Sequence, residues 1–528
     1  MTAADNRFRR GPRTAAAAAL LLTAAFLLIV APAGARLQER PKPAAPAAAS
    51  PVPAAAQTDY YGVYMGPAKV GSLVLERQNA AKTPDGKAAV RSDSAMKLDL
   101  TVLGAAATTT STSTTWSEPK SGRPLRIESK TESAGRVTSV TATYTDRTVT
   151  YSAVVQGTPQ NGTLTLKDGE KFLFDPTTGG AEFAPKVGMK LAGKVFVPDA
   201  LRLMDSRIEV VAEETVSVGG QSVKAFKVND VNDIATSTLY MTGGGDLLRI
   251  DGPFGMQMRK EAKEVALAAP GKDDPRPDLA RAVGITPTGE KMENPRETRR
   301  VRYEIRGVTR DLPPSDGVQS VEYRAGAASA EPGRENQKVA VVTVNAAPLP
   351  PSSTATVFAD PTKAPAKLRP YLQSTVYVAA SDALFQRLAA EVVGQEKDVA
   401  KAAAKVAEYV HRTMTPDPSI AALRTAKDIQ ADPRGVCRDY TTFFTAISRA
   451  AGIPTRQCVG IAYANGMFLY HAWPEVWVGG ETWVALEPTW GAPFADATHI
   501  KLAQGEITDV FSFAADMGKY QIQVLEVK

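Results

Sequence analysis

Both cysteines of this 528-residue chain lie in one short stretch, GVCRDYTTFFTAISRAAGIPTRQCVG, running from Gly435 to Gly460. A cysteine there can be a nucleophile, half of a disulfide, or a small buried hydrophobe. Cys437 falls in the first turn of an expected helix, two residues after Gly435, a residue that lets the chain approach closely. The unpaired amides and positive dipole end of such a helix favour a thiolate, and the Cys437 N–H is placed to donate to an oxyanion. His471 follows in LYHAWPEVWV and Glu487 in ETWVALEPTW. A thiol, an imidazole and a carboxylate are the groups of nucleophilic acyl transfer.

Strand geometry tests whether the last two can meet. A three-residue loop from Gly479 to Glu481 pairs Val478 with Thr482, which sets Trp477 opposite Trp483 and Trp473 opposite Glu487. His471, Trp473, Glu475, Trp477, Trp483, Ala485 and Glu487 then share one face, with Glu487 diagonal to His471. A two-residue loop sends His471 and Glu487 to opposite faces. Glu475, on the same face, is the alternative carboxylate to orient the imidazole.

These residues resemble the transglutaminase-like superfamily. Its motif runs Gly-x-Cys-x-(acidic or polar)-(aromatic), then Arg-Ala-x-Gly-Ile-Pro-x-Arg, then His-Ala-Trp, then Trp-x-x-x-Asp-Pro-Thr. Here those segments are Gly435 to Tyr440, Arg449 to Arg456, His471 to Trp473 and Trp483 to Thr489, and the tail DATHIKLAQG also looks like bacterial members. The resemblance implies a papain-like helix-on-sheet domain in which Cys437 is the nucleophile, His471 the base and Glu487 the orienting acid. It also implies a thioester formed from an amide of a protein or peptide, resolved by water or by an amine. One position departs from the pattern: the third residue is usually Asp, and Glu487 is one methylene longer. The rival reading is a non-catalytic binding or scaffold protein carrying a degenerate domain of this kind.

Other residues have plainer expectations. Cys458 precedes a strand and reads as a buried inert thiol. His411 reads as structural, His499 as a loop or packing histidine, and Asp439 and Arg456 as ion-pairing or hydrogen-bonding residues. Trp473, Trp477 and Trp483 read as core or cleft wall. No cofactor is expected: Gly188 to Val195 imitates a phosphate-binding loop but lacks the hydroxyl after Lys194 and sits among hairpins. There is no G-x-S-x-G elbow, and the three histidines and two cysteines show no metal-ligand spacing, so no metal is expected. The net charge of +6 is mild and its cations are interspersed with acids, which disfavours a nucleic-acid partner.

The elements that must position these groups fall late in the chain. Residues 1–35 carry four arginines and then the apolar run Ala15 to Ala33, the layout of a secretory signal, or of a membrane anchor if it stays uncleaved. Export follows in either case, with cell-envelope components as further conceivable partners. Residues 36–58 are a Pro/Ala-rich linker. Residues 59–268 alternate as antiparallel strands, suggesting a half-open barrel, with a hairpin expected across Asp168-Gly169. Thr108 to Thr115, TTTSTSTT, reads as an exposed strand. A smaller β unit follows at 280–352, and helices led by Ser381 or Asp382, by Val399 and by Cys437 open the transglutaminase-like unit at 353–528. The fold class is thus α+β. Because every candidate catalytic residue follows Gly435, the part from about Ser353 is expected to carry the chemistry alone.

Overall fold

Period-two alternation between Gln57 and Lys260 builds one fourteen-stranded antiparallel sheet in the computed structural model. The structure describes residues 57–528 apart from 103, 134, 156, 174–184, 233–235, 272–275, 310, 313–316, 327–336, 421–422, 493 and 508–515. The expected signal or anchor and most of the Pro/Ala linker lie outside the described residues. Strands follow one another as a meander, and Gln57–Met65 pairs with Met256–Lys260 to join its two halves. The outermost strands are Thr158–Thr165 and Lys190–Val197. Beyond Thr165 the chain crosses toward the other edge. Leu166 N–H donates to the Arg147 carbonyl at 2.8 Å, and Leu173 N–H to the Lys194 carbonyl at 2.9 Å. The Asp168-Gly169 turn therefore does not fold Lys171–Leu173 back onto Thr163–Leu166, as the sequence suggested. Gly169, at φ +83°, redirects the chain so that Phe172 bridges Lys194 in parallel. Gly188 to Val195, the imitation phosphate loop, leads into the edge strand.

The Thr/Ser run is strand, within Ala105–Ser117, but it is not a solvent face. Thr109, Ser111, Ser113 and Thr115 are buried, and hydroxyls bond across to the neighbouring strand, Thr109 with Ser133 at 2.9 Å and Ser111 with Thr131 at 3.4 Å. Hydroxyls partnered in this way are tolerated inside.

The second sheet has the order Thr288–Gly289, Gln521–Val527, Arg300–Val308, Lys338–Asn345, Gln319–Ala325. The strand Gln521–Val527 lies inside it, pairing Ile522 with Ile305 and Val524 with Tyr303. The expected units 280–352 and 353–528 therefore share a sheet. Ile285 and Phe468 also exchange backbone hydrogen bonds at 2.9 and 2.8 Å, and Tyr303 Oη donates to the Ala497 carbonyl at 3.0 Å. One apolar cluster includes Tyr61, Tyr303 and Cys437.

The third sheet, Thr482–Ala485, Met467–Gly479, Thr455–Ala464, Ile500–Gly505, carries the candidate histidine. Against it pack the helices Ala383–Val393, Val399–Thr413, Ala426–Ala431 and Cys437–Ala450. Asp382 and Asp398 cap the first two, accepting from Leu384 N–H and from Ala400 and Lys401 N–H. Tyr440, Phe443, Phe444 and Ile447 on the Cys437 helix are buried against Val406, Val476 and Leu486. Each such side chain contributes about 1.5–3 kcal/mol through burial, which fixes the helix beneath its reactive end. The whole is an α+β protein with a large antiparallel sheet ahead of a helix-bearing unit.

Candidate active site

Cys437 is the first residue of its helix, and both ends of the preceding turn are tied down. Val436 N–H donates to Asp439 Oδ2 at 2.9 Å, and Arg424 Nε donates to Asp439 Oδ1 at 3.1 Å. Arg424 also donates to the Asp432 and Arg434 carbonyls. Gly435 is obligatory here: a Cβ would stand 2.6 Å from Asp439 Oδ2 and 2.7 Å from Arg424 Nη2. Arg438 reaches the other way, donating from Nη2 to the Ile420 carbonyl at 2.7 Å. Both cysteines are free and buried. Burial first, and Glu475 next, push the Cys458 thiol far above its ordinary value, which suits an inert residue.

His471 lies on Met467–Gly479 opposite Gly460. Glycine is needed at 460 because a Cβ would meet the Ile500 carbonyl at 2.0 Å and the Trp473 ring at 3.0 Å. The hairpin that carries His471 toward Glu487 differs from the three-residue loop expected. Gly479 pairs with Thr482 across a two-residue Gly480-Glu481 turn, and a bulge at Val478 keeps Trp477 opposite Trp483. The bulge absorbs the one-residue slip that would otherwise have turned the following strand over. Leu486 N–H then donates to the Pro474 carbonyl at 2.9 Å, and Glu487 leaves the strand buried beneath His471.

His471 Nε2 is 2.6 Å from Glu487 Oε2. Burial alone would lower the imidazole's affinity for its proton. The Glu487 carboxylate and then the Cys437 side chain, through charge and hydrogen bonding, outweigh burial and raise it to about 9. Glu487, despite its own burial, is held well below the usual carboxylate range, chiefly by His471 and then His499. Nδ1, the other ring nitrogen of His471, has no other hydrogen-bond partner among the described residues and is the atom left for Cys437. Trp490 covers the imidazole, with ring centroids 4.6 Å apart and planes 12° from parallel. His411 Nδ1 donates to the Pro488 carbonyl at 3.0 Å, steadying the loop after Glu487.

Glu475 is accounted for elsewhere. Its carboxylate meets Arg456 Nε at 2.8 Å and Lys501 Nζ at 3.0 and 3.1 Å, all three side chains buried. Burial would raise it, but Lys501 and then Arg456 hold it at about 2. The structure thus brings Cys437, His471 and Glu487 together and gives Glu475 different partners.

The sequence reading missed His499. It does sit in the turn before Ile500–Gly505, but it is buried there with Nε2 3.1 Å from the same Glu487 oxygen, a bond the sequence did not announce. Folding also places the nearest ligating atoms of His471, Glu487 and His499 within 4.8 Å of one another, a clustering that their spacing in sequence conceals. Hydrogen bonding to a shared carboxylate accounts for that clustering. A hint was present in DATHIKLAQG, where Asp496 precedes His499 by three residues and turns to meet it.

A cysteine at a helix start, a buried imidazole aimed at it and a carboxylate behind define a domain with thiol acyl-transfer geometry. Residues 386–488 match the family model of the transglutaminase-like superfamily, so the segment bearing these three residues is a transglutaminase-like domain. No curated protein matches the chain. Among solved structures, the chain is similar to a candidate cysteine protease from Cytophaga hutchinsonii, at 17% identity over 43% of this chain and 84% of that one, with a TM-score of 0.30. It is similar to a β-barrel-like protein from Brucella abortus at 15% identity, 39% and 94% coverage and a TM-score of 0.30. A candidate protease from Parabacteroides distasonis is similar at 8% identity, 73% and 64% coverage and a TM-score of 0.19.

Proposed function

We propose that this protein is an exported cysteine enzyme that cleaves amide bonds of proteins or peptides through a thioester on Cys437. The observation that carries this reading is the His471 imidazole, sealed from water, bonded on one side to Glu487 and coupled on the other to Cys437. In the reaction, the thiol proton passes to His471, and Sγ attacks the amide carbonyl carbon. The C–N bond breaks as His471 returns the proton to the leaving amine. Water then regenerates the acid, or an amine takes the acyl group, and His471 accepts and returns the proton again. Glu487 keeps the imidazole in one tautomer and one orientation throughout. Export is motivated by the arginines and apolar run of residues 1–35; among the described residues no helix is long and apolar enough to cross a membrane.

Cys437 and His471 are buried, so a substrate, or a small reagent such as iodoacetamide, reaches them as what covers them opens. A peptide-amide assay on the full chain, with iodoacetamide labelling of the resting protein, tests the reading. Wild type should label at Cys437 and turn over, Cys437→Ser should do neither, and both should melt within a few degrees of each other. Equal labelling of wild type and variant would instead support a scaffold bearing an inert domain.

A further inference from the structure

Glu487 serves more than one imidazole. Its Oε2 lies 2.6 Å from His471 Nε2 and 3.1 Å from His499 Nε2, while Oε1 accepts from the Thr489 and Trp490 amides at 3.0 and 3.3 Å. His499 is gripped from behind as well. Its Nδ1 is 3.0 Å from the Asp496 carbonyl and 3.3 Å from Asp496 Oδ1. Asp496 in turn accepts from Thr498 N–H and hydroxyl at 2.9 and 2.5 Å and from Arg296 Nη1 at 2.5 Å. Arg296 also donates to the Tyr463 carbonyl, and its guanidinium lies 4.0 Å over Trp490, the ring stacked on His471. Two routes therefore lead from Arg296 to His471, one through Asp496, His499 and Glu487, the other through Trp490. Arg296, Asp496 and His499 all lie outside the matched segment 386–488.

We propose that His499, held by Asp496 and Arg296, is a second positioning residue of this active site, fixing the Glu487 oxygen that orients His471. The proposal rests on the reading of Cys437, His471 and Glu487 given above. Its physical basis is the length of Glu487. Compared with the shorter acid of the family pattern, a glutamate has one more rotatable bond, and a lone imidazole partner would leave its carboxylate free to swing. Four donors on two oxygens remove that freedom. Both nitrogens of His499 face only acceptors, so both carry hydrogen and the ring is a cation. Asp496 foremost, then Glu487, hold it protonated to about 9 against the opposing effect of burial. Around it stand His471, Trp473 and Trp490, with ring centroids at 5.5, 5.1 and 5.2 Å. Arg296, Asp496, His499, Glu487 and His471 thus alternate in charge along one line. A packing histidine would need none of these bonds.

The test uses the full chain and iodoacetamide, with the alkylation rate of Cys437 measured from about pH 5 to about pH 10. Cys437→Ala corrects for Cys458. If wild type and Cys437→Ala label alike, the thiol-enzyme reading falls and this proposal with it. If wild type labels faster, His499→Phe should slow alkylation roughly tenfold or more. Its alkaline limb should also move to higher pH, because His471 keeps its proton longer without a neighbouring cation. His499→Gln, whose amide can still donate to Glu487, should recover part of the rate, and Arg296→Met should give a smaller loss of the same kind. Unchanged profiles in both His499 variants would overturn the proposal. So would a slower rate with an unmoved limb and no recovery by glutamine, which would leave His499 a purely structural residue.

Discussion

Glu475 and Glu487 are both buried carboxylates, yet their substitution should fail in different ways. Glu487→Gln keeps size but loses the charge that holds His471 protonated and aimed. It should lower kcat by roughly 10²-fold with little change in KM. Glu475→Gln leaves the Arg456 and Lys501 charges buried against a neutral amide, which should cost about 3–5 kcal/mol of stability. Its melting point should fall while the residual folded protein keeps near-normal kcat. A larger kcat loss at Glu475 would reverse the assignment. The same groups set the pH range of the fold. Glu475 and Asp496 are depressed from 4.5 and 3.8 to about 2, so the stability they contribute is present above those ordinary values and is lost as pH falls toward 2. His471 and His499 are raised from 6.5 to about 9, so theirs is complete below 6.5 and lost as pH rises through 9. Melting temperature should therefore peak between about pH 5 and 6.5, and Glu475→Gln should flatten the acid side. At this scale the sequence was legible where a motif names its residues in order, as for Cys437, His471 and Glu487. It did not reveal the bond from His499 to Glu487, because a hydrogen bond between residues twelve apart leaves no periodic trace.

Among the elements, the Cys437–Ala450 helix depends most on its entry turn. Gly435→Ala would drive a methyl into both members of the Asp439–Arg424 pair that holds that turn. We expect a loss of roughly 2 kcal/mol in denaturant unfolding, together with slower alkylation of Cys437, since the helix start would have to shift. One helix start was readable in advance because a capping aspartate is a local signal: Asp382 precedes an apolar stripe. The cap at Asp398 is a finding of the structure. Register was not. Val478 is bulged by a choice between loop geometries that Gly479, Gly480 and Glu481 permit almost equally, and the register that sets Trp477 opposite Trp483 depends on contacts distant in sequence, Phe358 on Trp477 and Tyr371 on Trp483. The Asp168-Gly169 turn misled for a related reason. A turn dipeptide announces a change of direction, while the partner of Phe172 is a distant edge strand.

For the whole molecule, one sheet is shared by the two units expected at 280–352 and 353–528. A fragment of residues 353–528 would lack Arg300–Val308, the partner of Gln521–Val527, and would lack Arg296 at the site. It should show no cooperative thermal transition, whereas a fragment of residues 278–528 should melt cooperatively and retain alkylation of Cys437. Equal behaviour of the two would restore the original division. The large sheet touches the helical unit at definite points: Arg136 pairs with Asp432, and Tyr377 Oη reaches the Asp199 carbonyl at 3.4 Å. Its own chain path has a mechanical meaning. Gln57–Met65 and Met256–Lys260 are antiparallel neighbours, and Glu261 N–H donates to the Tyr60 carbonyl at 2.9 Å. The chain thus enters and leaves this body of fourteen strands at one seam. Tension between whatever holds the chain before Gln57 and the Cys437-bearing unit after Lys260 would act first on that strand pair and the Glu261 contacts beside it. It would peel the pair open one hydrogen bond at a time, a weak direction, before it reached the strands on either side.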